Sequence, residues 1–250
     1  MRLSIYIGQR RFARVIAACL MLCAATGLSQ AASPSARTES DVIAGVNQAT
    51  YWREKNLTGY TVQETYSLYR RKDDSPAAQM VVQTTYAAAA GKSYRVLSES
   101  GSSTGKLVLQ RILKSEEQLS KPGEREQILI TSANYEMSVP DLQQHELHGR
   151  NCFIVSLKPL RPSPYLIAGR IWVDAETYHV IRVEGAPTSE PSMWTGHSKV
   201  ERDYTDVDAV SVAVHAKSTS RNALLGESTL DVRYENYRLS VSAPATASQR

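Results

Sequence analysis

Cysteine and long apolar runs are both scarce in this sequence. It has three cysteines in 250 residues, and two of them, Cys19 and Cys23, lie within the first thirty. Without that stretch Cys152 stands alone, which excludes an intramolecular disulfide. The longest apolar run, residues 15–28, covers about 14 positions, whereas a helix needs roughly 20 to span a bilayer. The mature chain is therefore expected to have neither a disulfide nor a transmembrane segment.

The N-terminal segment is typical of an export signal. Four arginines and no acidic residue precede or flank the short apolar run, and small residues at Ser29 and Ala31 form a cleavage site. We predict a signal peptide over 1–31, a flexible leader over 32–39 and a mature protein in the periplasm.

The chain has no excess of charge of either sign once the predicted signal peptide is removed. The whole chain has 29 basic and 25 acidic residues, and the four charged residues of the signal peptide are all arginines, so 25 of each sign remain. A neutral mature chain does not favour a nucleic-acid surface or a polybasic membrane patch. About 219 residues are enough for one domain with its own core.

The first half of the mature chain alternates between two periodicities. Helical spacing over 40–55 predicts an opening helix capped by Ser40 or Asp41, and a second helix is predicted over 106–119. Period-two alternation predicts strands near 60–68, 80–86 and 94–98. Residues 124–131 fit either a helix or a poor strand.

The second half is predicted to contain strands only. They fall near 134–139, 151–158, 168–174, 178–185, 195–205, 209–218 and 227–238, and residues 169–185 form a hairpin with glycines at both outer ends. In total we expect about ten antiparallel strands and two or three helices, an α+β domain over 40–240 followed by a disordered tail over 241–250.

Groups that could carry catalysis or bind a metal are few. Gly101 to Gly105 spells G-x-S-x-G between a strand and a helix, the context of a nucleophilic serine at Ser103, but the surrounding strands alternate like antiparallel ones. We favour a helix-capping loop. His145 to His148 lacks the spacing of a zinc motif and is predicted to be a solvated turn. The sequence thus predicts no metal, no cofactor and no enzymatic activity, with a serine hydrolase as a remote alternative.

Four stretches carry a family resemblance: Asn134 to Met137, the W-V-D-x-x-T core of the hairpin 169–185, "EGAPTSEPSMW" and the closing "YENYRL". They resemble the LolA/LolB-like superfamily of periplasmic lipoprotein carriers, in particular the outer-membrane lipoprotein-sorting-like proteins. The resemblance implies an incompletely closed antiparallel β-barrel, with helices packed in or over its concave face and an apolar cavity that shelters acyl chains.

The resemblance also implies a function. It suggests a monomeric carrier that binds the acyl chains of a lipid or lipoprotein for transfer towards the outer membrane, with inner- or outer-membrane transfer proteins as partners. The alternative is an envelope sensor or interaction module on the same fold, similar to the RseB/MucB regulators.

One parity of each clear strand is expected to line such a cavity. Glu64 interrupts the first set, and the loop length of the hairpin leaves open whether Trp172 lines the concave face or covers the outside. The candidate lining residues are Tyr60, Val62, Tyr66, Leu68, Val82, Tyr86, Trp172, Val212, Leu230, Val232 and Tyr234.

Overall fold

A computed structural model of the chain describes residues 37–71, 73–189, 197–222 and 226–242. The predicted signal peptide, most of the predicted leader and most of the predicted tail lie outside these residues. Among the helices that are described, none is both long and apolar enough to cross a membrane.

The opening helix, α1, spans Glu39–Asn56. Its N-cap is Thr38 rather than the predicted Ser40 or Asp41, because Thr38 and Asp41 form a capping box. The Thr38 hydroxyl accepts a hydrogen bond from the Asp41 backbone N–H at 3.2 Å, and the Asp41 carboxylate accepts one from the Thr38 N–H at 2.8 Å. The reciprocal pair moves the start of the helix towards the N-terminus.

The second helix, α2, spans Ser103–Leu119 and begins three residues before the predicted start. The Ser102 side chain caps it by accepting a hydrogen bond from the Gly105 N–H at 3.1 Å. The undecided segment 124–131 contains a short 3-10 helix, Arg125–Ile128.

The described residues form eleven strands, and every pairing between them is antiparallel. The sequence predicts about ten strands, and the strand that it misses is β5, in the segment predicted to be a solvated turn. The strands are β1 Leu57–Arg70, β2 Ala78–Ala87, β3 Gly91–Gly101, β4 Tyr135–Ser138, β5 His145–Leu147, β6 Arg150–Pro159, β7 Ile167–Asp174, β8 Val180–Pro187, β9 His197–Val207, β10 Val210–Asn222 and β11 Gly226–Val241.

The strands make one sheet in the order β3-β2-β1-β11-β10-β9-β8-β7-β6-β4, with β5 on β6. Two meanders meet where the last strand, β11, returns to pair with β1. In the described part of the chain β3 and β4 are the two edges and do not pair, so the sheet is not closed. The predicted fold class, an incompletely closed antiparallel barrel with two helices, is confirmed.

One row of directly paired residues shows that both helices cover the same face of this sheet. The row crosses eight strands from β6 to β2, and its members face the same side because opposed residues in a ladder share a face. It consists of Val155, Ile171, Val183, Arg202, Ala216, Val232, Tyr66 and Met80.

The two helices divide this face between them. Val42 and Val46 of α1 pack in a cluster with Val155, Ile171 and Val183. Leu109 and Leu113 of α2 pack in a second cluster that includes Tyr66, Met80, Ala216 and Val232. We call the shared side the helix-covered face.

Candidate functional site

Most of the predicted lining residues lie on the helix-covered face beneath α2. Six are buried there in one cluster with Leu109 and Leu113, and two more pack against it while partly exposed. The six are Val62, Tyr66, Leu68, Val82, Val232 and Tyr234, and the two are Tyr60 and Leu230. The period-two pattern therefore placed these residues together, as expected for one face of paired strands.

A neighbouring cluster holds Val212. It packs with Leu57 and Val210, and the rings of Tyr60 and Tyr86 flank it in a stack with centroids 4.9 Å apart. Tyr60 also contacts the cluster under α2, so the two clusters form one continuous apolar surface.

Trp172 lies on the opposite face. Its chain neighbours Ile171 and Val173 pack with α1, whereas Trp172 packs with Cys152 and Ile181. The guanidinium of Arg170 lies 4.5 Å from the centre of its ring. Of the two placements that the sequence left open, the structure shows the outer one, and Trp172 does not line the helix-covered face.

Polar side chains interrupt the apolar surface at its centre. Glu64, on the inward parity of β1, has no exposed surface, and the hydroxyl of Tyr66 donates a hydrogen bond to it. From α2, the Glu116 carboxylate reaches Lys92 on β3, with Oε2 and Nζ 2.8 Å apart. The Tyr94 hydroxyl donates to the same oxygen at 3.2 Å.

Arg202 on β9 lies near this group, since its charge is among the causes that lower the pKa of Glu116. It is the one charged member of the eight-residue row, and Val183 and Ala216 are its direct partners on either side. Its Nε is buried without a hydrogen-bond partner in the described part of the chain. We call Glu64, Tyr66, Lys92, Tyr94, Glu116 and Arg202 the interior polar cluster. In the sequence only Glu64 stands out, as a carboxylate on an otherwise apolar parity that needs partners when it is buried. Those partners could not be named, because the pairing of distant strands sets their positions.

The charges of this cluster stabilise one another. Burial opposes ionisation of Glu116, but the Lys92 ammonium and its hydrogen bond outweigh that cost, and the pKa of Glu116 is lowered. Burial likewise disfavours the charged form of Lys92, yet Glu116 raises its pKa well above the ordinary value. Burial is also the main cause of the raised pKa of Tyr66. At neutral pH the cluster therefore holds an ionised Glu116 and Lys92 with a neutral Tyr66.

Glu116→Gln is expected to lower the free energy of unfolding at pH 7 by about 1–3 kcal/mol, because a charged acceptor is replaced by a neutral one. A lowered carboxyl pKa contributes stability above the ordinary pKa of about 4.3 and loses it as the pH falls. The difference from wild type should therefore shrink below about pH 4, as measured by urea unfolding across pH. Glu117→Gln, on the exposed side of the same helix, is the matched control, and an equal loss in both variants would contradict the pairing.

Ser103 is exposed in the first turn of α2, next to the capping residue Ser102. We predict that Ser103→Ala leaves the protein's function intact. Ser102→Ala should instead cost about 1 kcal/mol of stability by removing the cap. Both are measured by urea unfolding, together with an ester-hydrolysis assay. An esterase activity that disappears in a normally folded Ser103→Ala variant would reverse our preference.

Among the histidines whose side chains the structure describes, His148, His179 and His215 lie beside carboxylates. His179 Nδ1 is 2.7 Å from Asp206, and His215 Nε2 is 2.8 Å from Asp231. His145 belongs to β5, and the chain turns at His148 and Gly149. Within the described ranges no three His, Cys, Asp or Glu side chains are grouped as a metal site would require.

No protein-family model matches this sequence, and no curated protein matches it. Solved structures do resemble it. A DUF1329 family protein from Desulfovibrio piger is 14% identical, over 81% of this chain and 95% of that one, with a TM-score of 0.40. A proposed outer membrane lipoprotein-sorting domain from Vibrio parahaemolyticus is 12% identical, over 82% and 92%, with a TM-score of 0.44.

A LolA superfamily protein from Nitrosomonas europaea is 9% identical, over 86% of this chain and 99% of that one, with a TM-score of 0.38. It belongs to the superfamily that the sequence resembles. The likeness is one of fold. At these TM-scores the likeness supports no conclusion about ligands or activity. Proposals about them are based on the residues of this chain.

Proposed function

We propose that this protein is a periplasmic carrier or binding protein that shelters an acyl chain against the helix-covered face of its open sheet. The observation that carries the proposal is the continuous apolar surface beneath α2. It draws side chains from β1, β2, β10 and β11, and the buried apolar residues that cover it from α2 are Leu109 and Leu113.

Binding requires α2 to move, because Leu109 and Leu113 fill the space above the sheet. The helix is amphipathic, but its other sides are also apolar in part: Leu107 is 47% exposed and Val108 37% exposed. An acyl chain would replace the contacts that Leu109 and Leu113 make with the sheet. Each methylene removed from water contributes about 0.8 kcal/mol, which offsets the loss of helix contacts.

Transfer towards the outer membrane and partner proteins in either membrane are part of the same proposal. A lipid with exposed acyl chains cannot cross an aqueous compartment without such shelter. A sensor or interaction module on the same fold is the second hypothesis, and it would use the outer surface rather than the space under α2.

Native mass spectrometry of the protein purified from periplasm separates these hypotheses. A co-purifying lipid would support the carrier. A stoichiometric protein partner without lipid would support the sensor. A bare chain would count against both and would return Ser103 to consideration as a nucleophile.

A further inference from the structure

The sheet presents two hydrogen-bond donors to one carboxylate oxygen. Oε2 of Glu116 lies 2.8 Å from Lys92 Nζ and 3.2 Å from the Tyr94 hydroxyl, and both donate to it. The Tyr66 hydroxyl on β1 is 3.3 Å away, but its single proton is donated to Glu64. The two donors belong to β3, whereas Glu116 is supplied by α2. The sheet alone thus carries a recess suited to an oxyanion, and the helix fills it with its own carboxylate.

The charges of the sheet also favour an anion at this position. Without Glu116 the interior polar cluster holds two cations, Lys92 and Arg202, against one anion, Glu64. The Lys92 ammonium is 3.8 Å from Glu64 Oε1, which is too long for a hydrogen bond. Arg202 Nε is a buried donor with no partner in the described residues. One further negative charge would neutralise the group.

We propose that the interior polar cluster is a binding subsite for the anionic head of an amphiphile, a carboxylate or a phosphate, and that Glu116 occupies it when no ligand is bound. The proposal rests on the carrier function above and names the class of cargo, an acyl chain with one acidic head group.

Head and chain would be admitted by one movement. Leu109, Leu113 and Glu116 lie at positions i, i+4 and i+7 of α2, and therefore on one face of the helix. Displacing that face uncovers the apolar surface and removes the competing carboxylate together. The ligand then replaces both kinds of contact made by the helix.

The test compares two ligands that share one acyl chain and differ in the head group, which is charged in one and neutral in the other. cis-Parinaric acid and its methyl ester are titrated by fluorescence into wild type, Lys92→Met, Tyr94→Phe and Glu116→Gln. Wild type should bind the acid about tenfold more tightly than the ester, the gain expected for hydrogen bonds to a charged group. Lys92→Met should abolish this preference while ester binding is kept, and Tyr94→Phe, which keeps the ring, should reduce it. Glu116→Gln should strengthen binding of the acid.

The possible failures are distinct. Equal binding of acid and ester by wild type would overturn the subsite and leave the carrier function standing, whereas binding of neither would overturn both. An unchanged preference in folded Lys92→Met and Tyr94→Phe would also refute the subsite. Inorganic phosphate, an anion without an acyl chain, is titrated by calorimetry. Weak competition with the acid would support a subsite for the head of an amphiphile. Phosphate binding as tight as that of the acid would contradict such a subsite.

Discussion

Val232→Asp is expected to unfold the domain or to lower its free energy of unfolding by several kcal/mol. Val232 is 3% exposed and packs between Ala216 and Tyr66 under α2. A carboxylate there would stand in a packed apolar cluster, and burying a charge in such surroundings costs several kcal/mol. Urea unfolding measures the loss. Ser240→Asp, at an exposed position of the same strand, is the control and should change stability by no more than about 0.5 kcal/mol.

Val212→Asp carries the same test to the neighbouring cluster, where Val212 is 2% exposed. The two variants are assayed for melting temperature and for binding of a fluorescent fatty acid. Folded variants that lose fatty-acid binding would show that these residues line an accessible cavity. If both variants unfold and wild type binds no fatty acid, the face is a permanently filled core and the carrier proposal fails.

Gly169→Ala is expected to destabilise the hairpin of β7 and β8 by about 3 kcal/mol or more, because no side chain fits between the two strands at that point. A Cβ at Gly169 would lie 2.0 Å from the carbonyl oxygen of Glu184, and Gly169 pairs directly with Gly185. Backbone atoms on both strands would have to shift. The glycines at the outer ends of this hairpin therefore permit a close backbone approach.

The same urea experiment checks this expectation. Ala168→Ser, at the adjacent exposed position, is the matched control and should melt like wild type. A Gly169→Ala variant within about 0.5 kcal/mol of wild type would show that the strands do not approach so closely. Gly185→Ala should behave like Gly169→Ala, since its Cβ would lie 2.3 Å from the Ala168 carbonyl oxygen.

Local pattern was sufficient to predict most of the elements. The hairpin, the long alternating strands and both helices follow from periods of 2 and 3.6, which act within one segment. The pattern was also sufficient to group Val62, Tyr66, Val82 and Val232 on one face. The starts of both helices were missed by one to three residues, because the side chains of Thr38 and Ser102 form the caps.

The register of the strands and the pairing of distant strands could not be predicted from the sequence pattern. A bulge between Ala213 and His215 makes Val214 an extra residue in β10, and a second irregularity near Asn236, which has a positive φ, shifts the parity of β11. After it Tyr237 and Leu239 pack inward, three and five residues beyond Tyr234. Lys92 and Arg202 could not be assigned to Glu64 for the same reason, since the pairing of distant strands brings them together.

The most direct test of the account uses a fatty acid with a photoreactive diazirine near its terminal methyl, cross-linked to the wild-type protein and mapped by peptide mass spectrometry. We expect saturable labelling of α2 and of the strands beneath it, in peptides containing Val62, Leu113 or Val232. Competition by unlabelled fatty acid should remove the label. Labelling confined to the outer face around Trp172 and Cys152, or no saturable labelling, would contradict a binding surface under α2.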